Sequence, residues 1–164
     1  MNQNIWKGIL AGAIAGLAGT AIKLVWENVM PTRPANVDSP TVELADRVKE
    51  ETAGEALTAE EAPVVDQAVS WLFGTGIGAL YGGLVELYPD MPTGKGSVLG
   101  MAYYGATHGS VLPMLNAEPW PLHKPMKFVS SEFSGNVVYG LTVEVTRRMA
   151  RKWLDERDAG LLPS

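Results

Sequence analysis

Side chains able to do chemistry in this sequence stand inside, or at the margins of, stretches that are otherwise uncharged. Residues 8–22, 67–85 and 96–117 contain no Asp, Glu, Lys or Arg, and 128–143 contain only Glu132. Lys23 and Glu27 close the first stretch four residues apart, and Asp66 opens the second. His108 lies within the third, and Asn136 follows Glu132 by four residues in the last. A carboxylate, an imidazole and a Lys–Glu pair brought together in an apolar setting can exchange protons or hold a polar solute. In that arrangement Glu132 is the titrating carboxylate, His108 its proton partner and Lys23 the charge that keeps Glu27 ionised. Glu132 has no charged partner on its own helix. The plainer reading gives these groups only structural work. Lys23 and Glu27 then reach toward a membrane surface, and His108 and Glu132 bond to backbone or to each other.

The uncharged stretches are themselves the elements that must position these groups. Each is close to the roughly 20 residues that a membrane-crossing helix needs. The pattern predicts an all-α, polytopic membrane protein, a four-transmembrane-helix bundle. Trp6 and Trp26 frame the first span, and the others run over 65–88, 96–115 and 127–146. The chain divides into a first span (1–30), an acidic outer connector (31–63), three spans with short connectors (64–148) and a basic tail (149–164).

Glycine spacing supports the same architecture. Of 18 glycines, 15 fall in the four spans, although each costs a helix in water roughly 0.5–1 kcal/mol. Gly8, Gly12 and Gly16 recur every fourth residue, as do Gly74, Gly78 and Gly82, while Gly100 follows Gly96 and Gly135 follows Ser131 at the same interval. Such spacing lets helix backbones approach closely in lipid, and these residues are the expected packing positions.

Charge sets the direction. Four spans place both ends of the chain on one side, and five basic residues crowd into 147–157 on that side. The positive-inside rule makes it the cytoplasm. Counting down from the opposite surface, Lys23, Glu27, Asp66, His108 and Glu132 then share the outer half of the bilayer. Glu86 and Glu144 fall at the inner ends and read as interface anchors, the latter with Arg147 and Arg148 three and four residues on. The basic tail suits anionic headgroups. Pro113 is expected to kink the third span just above His108, and Tyr103, Tyr104 and Tyr139 read as packing residues. Residues 41–60 read as an acidic, partly helical and solvated segment.

The stretches "IAGLAGTAIKLVWENVMPTRP", "YGGLVELYP", "GMAYYGATHGSVLPM" and "SSEFSGNVVYGLTVEVTRR" together resemble the YagU-like family of small bacterial inner-membrane proteins. The resemblance is carried by Lys23, Glu27 and Arg33, by Tyr81, Glu86 and Pro89, by Gly100, His108 and Pro113, and by Ser131, Glu132, Gly135, Glu144, Arg147 and Arg148. It implies a bacterial inner (plasma) membrane location and a multi-pass topology, and supplies no activity. This chain departs from the family in its short acidic connector and at Ser70, where family members carry a histidine.

Several classes are set aside. A net charge of −5 argues against nucleic acid. The sequence has no cysteine, and it holds no phosphate loop, nucleophile elbow or HExxH motif. No catalytic residue, metal or cofactor is therefore expected. His123 falls in the outer connector, away from the depth that haem ligation would need. The expected partners are the lipid bilayer and a second copy of the chain or another membrane protein. Two functions remain: a proton-responsive or transport-like protein using the outer polar cluster, for which external acid is the natural stimulus, and a non-catalytic packing or assembly protein acting through its glycine faces.

Overall fold

Small residues at every fourth position force the geometry of the longest helix pair. In the computed structural model, which describes residues 3–91 and 93–160, α1 (Gln3–Val29) and α3 (Glu61–Leu87) run against each other on their glycine faces. A Cβ placed on Gly12 would lie 2.2 Å from the Gly78 carbonyl oxygen, and one on Gly78 would lie 2.4 Å from the Gly12 oxygen. Gly8 meets Gly82, and Gly16 meets the Gly74 carbonyl, in the same way. Only hydrogen fits at this crossing.

α1 also packs along α6 (Met126–Asp158), and α6 in turn carries α4 (Ser97–Ala106). Gly100 meets the Asn136 carbonyl, and Gly96 meets that of Gly140. Gly135 does something different, facing the side chain of Trp26 instead of a backbone. Aromatic side chains link α3, α4 and α6: the Phe73 and Tyr103 rings lie 5.9 Å apart, and Tyr103 meets Tyr139 edge-on at 5.2 Å.

Among the described residues every regular element is helical, and there is no strand. Two helices, Asn4–Val29 and Glu61–Leu87, are long and apolar enough to cross a membrane. The third element is interrupted. α4 passes into a π-helical turn (Thr107–Val111) and then α5 (Leu112–Met114). The expected kink at Pro113 is thus a widened turn. Proline has no N–H to give the preceding turn, Leu112 N–H reaches back to the Thr107 carbonyl, and Ser110 Oγ donates to Gly105 and Ala106. α6, at 33 residues, is about 50 Å long and runs well past its apolar part.

Inside and outside are reversed relative to a water-soluble bundle. Leu10, Ile14, Leu17, Leu72, Phe73 and Leu80 are exposed, whereas Ser131, Glu132, Asn136, Glu144 and Arg147 are buried. A core of small and polar residues inside an apolar coat is what lipid-facing helices require.

The first connector is more ordered than its acidic composition suggested. Ser39 caps α2 (Pro40–Ala53) by accepting from Val42 N–H, Pro40 occupies the first turn, and Gly54 ends the helix at φ 74°. α2 packs on α3, and Arg47 donates to the Leu115 and Asn116 carbonyls at 2.7 and 2.6 Å. It forms a cover over that end of the molecule.

At the opposite end, Glu144 is buried, and this corrects its reading as an interface anchor. It accepts from Arg147, Arg148 and the Tyr81 hydroxyl, tying α6 to α3. Glu86 accepts from Arg151 at 2.7 Å. Lys7 on α1 pairs with Asp155 and Asp158. Much of the tail's positive charge is therefore spent within the chain. The tail is described as far as Gly160, and 161–164 lie outside the described residues.

Candidate functional site: a charged cavity under α2

Each helix contributes a stripe at helical spacing to one cavity of about 280 Å³. α1 supplies Thr20, Lys23, Leu24 and Glu27, and α3 supplies Asp66, Val69, Ser70 and Phe73. The third element gives Tyr103, Thr107, His108 and Val111, while α6 gives Glu132 and Tyr139. Phe73, Tyr103 and Tyr139 form its inner end, and Pro40, Thr41 and Leu44 of α2 lie over its outer end.

Four of the five residues expected from sequence to form a polar cluster share this cavity: Lys23, Glu27, His108 and Glu132. Lys23 pairs with Glu27 along one face of α1. Asp66 joins them, accepting from Ser39 and Thr41 and standing 3.9 Å from Arg33. Asn136 does not line the cavity, which corrects its place in the cluster. It is fully buried beneath Glu132, donating to that residue's carbonyl at 2.8 Å, and its backbone carries the contact with Gly100. One helical turn moved it from the cavity wall into the α4–α6 seam.

His108 and Glu132 meet, with 3.5 Å between Nδ1 and Oε1, but they are not alone. His108 Nδ1–H donates to Glu118 Oε1 at 2.8 Å, and Lys124 Nζ bridges Glu118 Oε2 at 2.5 Å and Glu132 Oε2 at 2.9 Å. Glu132 therefore has a close counter-charge after all, supplied by the loop. Burial pushes the Glu118 carboxyl up, but the hydrogen bonds and charges of His108 and Lys124 outweigh it and hold the group below the usual carboxylate range. For Lys124 burial works downward, and the two carboxylates overcome it and raise the ammonium.

Glu118 and Lys124 were missed from sequence. Their signal was present in "NAEPWPLHKP", an acid and a lysine in a connector stiffened by Pro119, Pro121 and Pro125. Fixed φ at three positions favours a loop that returns to one place. A buried polar atom also remains beside the cluster. The Tyr104 ring stacks on His108 at 5.8 Å, and its hydroxyl has no hydrogen-bond partner.

The class defined by fold and site is an all-helical chain with two membrane-length apolar helices and a charged cavity at one end. The chain belongs to the family described as protein of unknown function (DUF1440), whose model matches residues 17–145. Neither a curated protein nor a solved structure matches it. The membership is consistent with the YagU-like resemblance.

Proposed function

We propose that this is a small integral membrane protein of the bacterial inner membrane, with four spans and cytoplasmic termini, whose outer cavity binds a small polar solute in a transport-like role. The observation that carries the reading is that Lys23, Glu27, His108 and Glu132 line one cavity together. A charge at mid-bilayer costs roughly 2.5–3.5 kcal/mol on insertion scales, so groups of this kind belong on a wet or paired interior. The apolar coat and buried charges support the membrane setting, and the basic residues beyond Glu144 support the orientation.

Volume favours a solute over a proton relay alone. A cavity of about 280 Å³ is far more than one water needs and comes close to the roughly 300–1,000 Å³ of small-molecule pockets. A relay between His108 and Glu132 needs no such space. The alternative, an assembly protein acting through glycine faces, draws less support, because Gly8, Gly12, Gly16, Gly74, Gly78 and Gly82 are occupied within one chain.

Water access from outside is the test. Ser70→Cys on the cavity wall should react with a membrane-impermeant thiol reagent added to intact cells. Leu72→Cys, on the 78% exposed apolar coat, should stay unreactive. An inert Ser70→Cys in a folded, inserted protein would overturn the open-cavity reading.

A further inference from the structure

Three separate segments deliver metal-type donors to one point at the edge of the cavity. His108 comes from the π turn, Glu118 from the proline-rich loop and Glu132 from the second turn of α6. One ligand atom from each lies within 4.8 Å of the other two. Nδ1 of His108 is 2.8 Å from Glu118 Oε1 and 3.5 Å from Glu132 Oε1. Ligands bound to one ion at roughly 2.0–2.2 Å stand about 3–3.5 Å apart, close to the two distances measured from Nδ1.

The second oxygens are already committed. Lys124 holds Oε2 of both glutamates, which leaves both Oε1 atoms turned toward the imidazole. Carboxylate ligands are commonly fixed in this way by a hydrogen bond on the oxygen that does not bind the ion. The backbone of His108 is fixed as well, since the π turn is held by Ser110 Oγ on the Gly105 and Ala106 carbonyls and by Leu112 N–H on the Thr107 carbonyl. An independent observation points to something beyond the protein's own side chains. The Tyr104 hydroxyl is buried without a partner, on a ring stacked against His108, with Glu132, Lys124 and Glu118 the charges acting on it.

We propose that His108 Nδ1, Glu118 Oε1 and Glu132 Oε1 bind a first-row divalent cation, with Lys124 orienting the two carboxylates. One nitrogen and two oxygen donors without sulfur suit Zn²⁺, Mn²⁺ or Fe²⁺ and disfavour Cu⁺, while magnesium and calcium prefer all-oxygen sites. Three protein ligands leave a position for water. Nδ1 faces the Glu118 carboxylate as a donor in the metal-free chain, so ligation through Nδ1 requires the neutral ring to carry its hydrogen on Nε2 instead. The inference goes beyond the cavity reading, because an ion can sit here whether or not a solute enters.

The experiment is calorimetric titration of the full chain, in nanodiscs, with Zn²⁺, alongside Mn²⁺ titration read by electron paramagnetic resonance. One saturable site per chain is expected. His108→Gln and Glu118→Gln should each weaken Zn²⁺ at least tenfold, and His123→Gln, outside the trio, should leave it unchanged. Glu118 lies in a loop, so its variant tests the site even if Glu132→Gln does not insert, and circular dichroism checks the fold of each. Absence of a saturable site, or one insensitive to both His108→Gln and Glu118→Gln, would overturn the proposal. Ser70→Cys labelling is read separately, so the open cavity and the ion site can fail independently.

Discussion

Gly76 and Gly78 sit two residues apart on α3, and their surroundings could hardly differ more. A Cβ on Gly78 would enter the backbone of α1, 2.6 Å from Gly16 Cα, whereas one on Gly76 would meet nothing within 4 Å. Gly12→Leu or Gly78→Leu should therefore force α1 and α3 apart, an overpacking cost of about 1–3 kcal/mol or more. Gly76→Leu should be neutral or slightly stabilising. Thermal unfolding in detergent reads the difference, and equal melting temperatures for Gly12→Leu and Gly76→Leu would show that the close approach is unimportant. Gly160 makes a poor control, because its φ of 68° strains any side chain placed there. Much of this contrast was legible in the sequence, since the fourfold interval picks out 74, 78 and 82 and leaves 76 aside. Gly135 shows where spacing stopped informing. It keeps the interval from Ser131, yet it meets an indole, because spacing marks a face of a helix without naming what lies opposite.

At the scale of elements, the inner end of α6 is a separate device from the cavity. Its last turns dock on α1 and α3 through Lys7, Glu86, Arg151 and Asp155. Hydrogen bonds from Arg151 and Lys7 hold the Asp155 carboxyl below its ordinary value. A carboxylate depressed in the folded state adds stability above its unfolded value, near 3.9, and that contribution is lost as pH falls through the lower folded value. The docking should thus hold at neutral pH and loosen only below about pH 4. Asp155 is 54% exposed, so solvent screens the pair and the effect stays local to the tail. Hydrogen exchange over 150–158, corrected for intrinsic rates, should rise in that acid range, and Asp155→Asn should show the faster exchange already at pH 7. An unchanged exchange rate in the variant would remove Asp155 from the docking. This cross-helix network was not legible in the sequence, because Lys7 and Asp155 are 148 residues apart. The cover helix was partly visible: "SPTVE" carries a serine cap and a first-turn proline, but acidic composition outweighed that signal.

For the whole molecule, the arrangement of charge along the bundle is the feature that a single measurement can settle. The cavity, α2 and the loop over 115–125 lie at one end, and the Glu144 and Glu86 networks lie at the other. Two apolar helices of spanning length are evident, but the third element is divided by its π turn and α6 is amphipathic beyond its first twenty residues. By length and hydropathy two helices qualify as spans, and the divided third element and the charge-rich end of α6 do not meet that test. If the cavity faces outward, a cysteine at Glu55, in the exposed turn after α2, should react with an impermeant maleimide in intact cells. One at Asp90, exposed in the turn after α3, should react only after permeabilisation. Ser39 is unsuitable for this purpose because it is 6% exposed and bonded to Asp66. Labelling at Asp90 without permeabilisation, together with protection at Glu55, would invert the molecule. The cavity would then open to the cytoplasm, and its solute and any bound cation would have to be sought there. Labelling at both sites from outside would instead mean that α3 does not cross the bilayer, and the four-span arrangement would fall with it.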